Sequence, residues 1–428
     1  MIDLFAYRSK FLTNTLKLVV GAGIGQAITL IIAPILTRIY TPSEFGVYTF
    51  FISIVGGFAL IATLRYEMAI ILQRDEKQAI NMASLSLLIS FCICCFLLLL
   101  VTTGALFLPD SLGTRVMKQW LFLLPFLVLL IGIGNIFQNW FNRGSRYPIL
   151  AIGKVINSAG NNGGMLILGL IGVGVWGLLG GYMIGYFLFA LFFLIVFLYS
   201  DRASLKNINF SLFSSLAKRH RDLPLSNSPQ AIGEMVQTYG IVYLAQIFFT
   251  SSIIGWFSLS MRVLQAPLML IGSSLSQVLY KDASEQYRST GQIKGLVWKT
   301  VKLSSLIALP VLLVLVIAGP WLFGMIFGET WRESGIYARI LAPWMFFDFI
   351  RYSISQIPLI LRKTRSMFYI SIVGNLFMVI SMCLGGIVFQ DILIGFTILS
   401  VLMSIYSIGV ILWILSLTKP IRDDKDKS

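Results

Sequence analysis

The sequence predicts an all-α, polytopic membrane protein with about twelve transmembrane helices in two six-helix lobes. Three observations carry that expectation. First, 57% of the residues are hydrophobic and 12% are charged, whereas an ordinary soluble domain is about a quarter charged. Second, the apolar residues fall in continuous runs rather than alternating, which favours spanning helices over a transmembrane barrel. Third, the runs reach the length of about 20 residues that a bilayer crossing needs, and short loops join them. No room is left for a soluble catalytic domain.

The first run, 14–37, follows Arg8 and Lys10 and contains Lys17. It is longer than a signal-peptide core and has no small-residue cleavage site, so it reads as an uncleaved span. Spans at 45–68, 79–108, 119–141, 148–171 and 173–199 follow. After the polar stretch 200–223 come 224–249, 252–279, 300–327, 336–361, 366–389 and 391–417. The expected organisation is a lobe at 1–199, a cytoplasmic linker at 200–223, a second lobe at 224–418 and a cytoplasmic tail at 419–428.

Weak internal likeness supports this halving. Thr41-Pro42-Ser43-Glu44-Phe45-Gly46-Val47-Tyr48 follows span one, and Thr250-Ser251-Ser252-Ile253-Ile254-Gly255-Trp256-Phe257 follows span seven. At an offset of 209, Thr, Ser and Gly recur and an aromatic meets an aromatic. Arg143 and Arg146 recur as Arg362 and Arg365 at an offset of 219. Six spans return the chain to the same side. The halves are therefore expected to be parallel, with the substrate between them.

The formal charge of +15 resolves when sorted by loop. Counting Lys154, Lys302 and Arg339, near span ends, with the side they adjoin, 24 of the 33 Lys and Arg residues fall on the side of the N-terminus, five on the other side, and four deeper within spans. Because cytoplasmic loops carry the Lys/Arg excess, both termini are expected in the cytoplasm. Topology and attraction to anionic membrane lipid explain the basicity, and nucleic acid is not needed. Cys92, Cys94, Cys95 and Cys383 lie within spans and read as packing residues. No metal site or cofactor is expected. His220, beside Arg219 and Arg221, reads as a solvated loop residue.

The segment 160–185 holds ten glycines, and Gly177, Gly181 and Gly185 share one helix face where close helix packing is expected. Prolines within spans, among them Pro34, Pro267, Pro310 and Pro343, are expected to bend helices. Amides recur in the spans, including Gln26, Asn135, Asn139, Asn157, Asn161, Gln237 and Gln265. Their number suggests a wet central cavity.

Charges inside a membrane are functional candidates by default. Lys17 and Arg65 lie near the cytoplasmic ends of their spans. Arg262 lies ten residues into span eight. Asp348 and Arg351, three residues apart, either neutralise each other or serve separately. Glu234 lies mid-span in helix seven with no basic neighbour one turn away. Basic residues from both halves converging on one cavity would take an anionic ligand, and arginine suits phosphate through its two-pronged hydrogen bonding.

The stretch Ala33-Pro34-Ile35-Leu36-Thr37-Arg38-Ile39-Tyr40-Thr41-Pro42-Ser43-Glu44-Phe45-Gly46-Val47-Tyr48, then Leu64-Arg65-Tyr66-Glu67 and Asn142-Arg143-Gly144-Ser145-Arg146-Tyr147, resembles the Wzx-type oligosaccharide flippases of the multidrug/oligosaccharidyl-lipid/polysaccharide exporter superfamily. The resemblance covers nearly the whole chain in span count and loop length. It implies two six-helix lobes around a central cavity in the bacterial inner membrane. It implies an undecaprenyl-diphosphate-linked oligosaccharide as substrate, flipped to the periplasmic leaflet for O-antigen, lipopolysaccharide or similar polysaccharide synthesis. A polysaccharide polymerase and a chain-length regulator are the implied partners. By position, Arg65 and Arg262 match the family's diphosphate-binding role best, with Lys17 and Arg351 weaker. Glu234 and Asp348 are candidates for ion coupling on depth alone.

Three rival classes stand beside this one, the blandest a structural membrane subunit, against which the deep charges Glu234 and Arg262 count. A cation-coupled multidrug exporter of the same superfamily would share the fold but favour carboxylates and aromatics in its cavity. A polysaccharide polymerase or other membrane enzyme would carry a sizeable periplasmic loop. The longest such loops here are 109–118 and 328–335, and no nucleophile–base pair or phosphate-binding glycine loop is visible.

Overall fold

The computed structural model describes residues 21, 23–104, 119–267 and 271–418, except for the side chains of 226–232, 234, 237, 267 and 364. The described residues are helical, with no strand. The chain forms two compact units, Met1–Gly255 and Trp256–Ser428.

In the first unit α1 is Gly23–Ile39 and α2 is Pro42–Ala59. Thr41 caps α2. Its side chain accepts the Glu44 amide, the Glu44 carboxylate accepts the Thr41 amide at 2.7 Å, and Pro42 occupies the first turn. This reciprocal cap satisfies two otherwise orphan N–H groups. It gives the Thr-Pro-Ser-Glu motif a structural reason. The unit continues with α3 (Glu76–Thr102), α4 (Leu124–Arg143), α5 (Tyr147–Leu170) and α6 (Val175–Ser200). Then come a short amphipathic α7 (Ser211–Arg219) and α8 (Ser228–Phe248).

The second unit holds most of α9 (Ser251–Pro267), α10 (Ser273–Thr290), α11 (Lys294–Phe327), α12 (Arg332–Ser353), α13 (Thr364–Cys383) and α14 (Ile392–Leu417). Among the described residues, six helical stretches are long and apolar enough to cross a membrane: Glu76–Thr102, Leu121–Arg143, Val175–Ser200, Lys294–Phe327, Arg365–Val388 and Ile392–Leu417. The other described helices are shorter or more polar.

Two differences from the sequence expectation matter. Span two was expected to run unbroken over 45–68, but α2 stops at Ala59. A turn follows through Arg65, then a 3-10 turn at Tyr66–Met68 and one helical turn at Ala69–Leu72. The stretch 200–223, expected as plain linker, contains α7. Phe213 and Leu216 of α7 are buried in a core with Tyr66, Ile70, Met82, Phe141 and Phe193. Each such side chain contributes about 1.5–3 kcal/mol on burial from water.

One end of this unit is tied by polar contacts. Arg146 donates to both carboxylate oxygens of Asp201 at 2.7 and 2.8 Å, and Trp140 Nε1 donates to Asp201 at 3.1 Å. Burial alone would raise the Asp201 pKa. Hydrogen bonds from Arg146, Trp140 and Ser200 outweigh it and hold the carboxyl below its ordinary value. The Asn81 side chain bridges Asn207 and Asn209. His220 is not a solvated loop residue: it is half-buried, with Nε2 2.9 Å from the Gln73 amide nitrogen. Burial, then the neighbouring Arg219 charge, lowers its pKa.

The expected close helix packing is present. A Cβ at Gly185 would lie 2.7 Å from Asn161 Cβ, and one at Gly164 would lie 2.8 Å from Gly181 Cα, so α5 and α6 approach backbone to backbone. The turns after spans one and seven also meet. A Cβ at Gly46 would overlap the Ser251 carbonyl oxygen and lie 3.0 Å from the Gly255 nitrogen. A Cβ at Gly255 would overlap the Pro42 carbonyl oxygen and lie 3.1 Å from the Gly46 nitrogen.

Candidate functional site: a polar cavity at a broken helix

The break after α2 opens into a cavity with about 510 Å³ of empty space, walled by α2, α4, α6 and α8. Leu60, Arg65 and Glu67 line it from the broken segment, and Asn135, Tyr182, Tyr186 and Tyr239 line it from the helices. Irregular backbone at membrane depth is tolerated where it borders such a cavity, because its polar groups then meet water or ligand instead of lipid.

Leu64 and Arg65 both have left-handed backbone, with φ of 49° and 63°. For a residue with a Cβ this costs about 1–2 kcal/mol, and such strain concentrates at functional sites. Packing on either side over-determines it. The Thr63 hydroxyl bonds the buried Glu67 carboxylate. Tyr66 Oη donates to the Ala217 carbonyl at 3.2 Å, and Ala69 and Ile70 are fully buried. The turn is thereby clamped to α7 while Arg65 faces the cavity.

The opposite wall is aromatic. Tyr182 and Tyr186, one turn apart on α6, stand edge to face at 4.9 Å between ring centroids, and Tyr48 meets Tyr182 at 6.0 Å. Tyr239 of α8 reaches this wall only because residue 56 is glycine, where a Cβ would overlap the Tyr239 hydroxyl.

In the second unit Arg351 donates to Asp348 through two nitrogens, at 2.8 and 2.6 Å, and lies 6.0 Å from the Tyr406 ring centre. The two charges neutralise each other, one of the two arrangements the spacing allowed. Arg262 sits half-buried on α9. A second cavity, of about 460 Å³, is lined by apolar side chains such as Leu264, Ile307, Val311, Met345 and Phe349, and none of its lining residues is charged.

Of the sequence candidates, the structure therefore places Arg65 in a polar cavity and joins Asp348 to Arg351. Lys17 and the side chain of Glu234 lie outside the described residues. Glu67 and the three tyrosines carried no assigned role in the sequence. The spacing of Tyr182 and Tyr186 placed them on one face but did not mark that face as a cavity wall.

A family model described as "Polysaccharide biosynthesis protein" matches residues 35–335. The chain belongs to the polysaccharide biosynthesis protein family. No curated protein matches it in sequence. Among solved structures, an inward-facing multidrug resistance MATE family transporter of the MOP superfamily is similar, with a TM-score of 0.71 at 15% identity over 92% of this chain and 96% of that one. The outward-facing form of such a transporter gives 0.57 at 15% identity over 95% and 96%. A MOP superfamily transporter from Pyrococcus furiosus, described as having reversed binding-pocket polarity that suggests a different function, gives 0.57 at 14% identity over 95% and 96%. This member of the polysaccharide biosynthesis family thus has the fold of MOP superfamily transporters and is a multi-pass membrane protein.

Proposed function

We propose that the protein flips an undecaprenyl-diphosphate-linked oligosaccharide from the cytoplasmic to the periplasmic leaflet of the bacterial inner membrane, feeding O-antigen or similar surface polysaccharide assembly. The observation that carries this reading is Arg65, held in left-handed backbone at a helix break and lining a polar cavity. A guanidinium there gives two parallel hydrogen bonds to a phosphate. Family membership supports a role in polysaccharide synthesis. The loop charge bias supports a cytoplasmic position for both termini. Outward movement of each negative charge is then downhill by about 2.3 kcal/mol per 100 mV. Arg262 and Lys17 are further diphosphate-binding candidates, and Glu234 a coupling candidate. A polymerase and a chain-length regulator are the proposed partners.

A cation exporter is the second reading, favoured by one observation: Glu67 and three tyrosines face the same cavity, and aromatic rings attract cations. Arg65 in that cavity opposes a cationic ligand.

Deleting the gene in its host and measuring lipid-linked glycan in each leaflet separates the two. Glycan trapped in the cytoplasmic leaflet, rescued by wild type but not by Arg65→Ala at equal membrane abundance, is expected. Normal translocation with lost tetraphenylphosphonium efflux would favour the exporter.

A further inference from the structure

We infer that Tyr182, Tyr186 and Tyr239 form a sugar-stacking wall, which holds a pyranose ring beside the phosphate bound at Arg65; this deepens the flippase reading and rests on it.

The cavity's composition selects the ligand. Arg65 and Glu67 are the two charged residues lining it. One guanidinium serves one phosphate group, and the carboxylate opposes a densely charged anion. Hydroxyls and an amide on the remaining wall make it a poor seat for a polyprenyl tail. A sugar ring fits both features. Its C–H face packs on an aromatic face, while its rim of hydroxyls meets the phenols and Asn135. Tyrosine, apolar in body and polar at the tip, provides both contacts.

The geometry is pre-set rather than loose. Tyr182 is held edge to face between Tyr48, at 6.0 Å, and Tyr186, at 4.9 Å, and Tyr186 packs on Phe189 at 6.3 Å. Tyr239 comes from another helix through the opening that Gly56 leaves. All three rings are half-buried, so each keeps surface for a ligand without a large ordering cost.

The test uses the full chain in lipid nanodiscs and two probes, undecaprenyl diphosphate and undecaprenyl-diphosphate-N-acetylglucosamine. Wild type is expected to bind the sugar-bearing probe roughly tenfold tighter, the scale of an aromatic stacking contact. Tyr182→Leu and Tyr239→Leu should bring that ratio near one while leaving the affinity for undecaprenyl diphosphate unchanged. Tyr239→Phe, which keeps the ring, should retain most of the preference and so separates stacking from a merely structural role. Equal wild-type affinity for both probes, or a ratio that both leucine variants preserve, would overturn the wall and leave the flippase reading standing. Wild type that binds neither probe overturns the flippase reading, and the wall with it.

Discussion

Gly46 and Gly255 stand against each other at the starts of α2 and α9, each nitrogen about 3 Å from the place the other's Cβ would occupy. The same two residues correspond at the offset of 209 that relates the turns after spans one and seven. The two glycines thus form a reciprocal backbone contact, in which a methyl group on either side meets a carbonyl oxygen.

That contact predicts a sharp asymmetry among glycines. Gly46→Ala and Gly255→Ala should each destabilise by about 1–3 kcal/mol, the usual range for overpacking. Gly163→Ala and Gly409→Ala, in helices with open space around them, should be neutral or stabilise by up to about 1 kcal/mol. Thermal melts of the detergent-purified variants check this; equal melting temperatures for all four would refute the packing argument.

Arg65 separates strain from chemistry. Arg65→Gly relieves a left-handed backbone and should raise stability by up to about 1 kcal/mol, yet abolish glycan translocation. Arg65→Ala should be inactive without that gain. Arg65→Lys, which loses the planar fork, should retain partial activity. Melting temperature and leaflet-resolved glycan, measured together, distinguish the three.

The Asp348–Arg351 pair is expected to be structural. Neutralising one partner leaves a buried charge alone and should cost about 3–5 kcal/mol, whereas Asp348→Leu with Arg351→Met should recover most of it. Translocation by the stable double variant would remove Asp348 from the coupling candidates and Arg351 from the phosphate-binding ones. A stable double variant that has lost translocation would return both to the mechanism.

The Asp201 and His220 contacts both weaken on the acid side of a pH profile, over different ranges. Asp201 titrates below its unfolded value, so its contribution is fully present above about pH 4, the ordinary aspartate pKa. It is lost as pH falls further, through the folded value. Asp201→Asn should lower the melting temperature at pH 7 by a few degrees and flatten the acid limb.

His220 also titrates below its unfolded value, so the folded state favours neutral imidazole. Its stabilisation is present above about pH 6.5 and declines as pH falls through the folded pKa. Hydrogen exchange in 200–223 should therefore be faster at pH 5.5 than at pH 7.5. The difference should shrink in His220→Gln; an equal difference there would assign the effect to another group.

The all-helical, membrane-spanning character was legible because hydrocarbon imposes a simple rule on the chain: every spanning stretch must be apolar, long and internally hydrogen-bonded. The close packing of α5 on α6 was legible because glycines four apart must share a helix face. The break after α2 was not legible. Hydropathy averages over Leu64 and Arg65 and carries no sign of their φ. Nor could spacing foresee α7 as a buttress, because an amphipathic stretch of nine residues looks the same in a loop as against a core.

By itself the sequence determined the fold class, the charge asymmetry and Arg65 as a candidate, since these depend on composition and order along the chain. Only the tertiary structure decided that Arg65 sits at a helix break facing Glu67 and three tyrosines, and that Asp348 is taken up by Arg351. These outcomes depend on which helix faces meet, and in this chain that rests on a few contacts such as Gly56 against Tyr239 and Gly46 against Ser251. One added methyl group would change such contacts, and hydropathy does not register it.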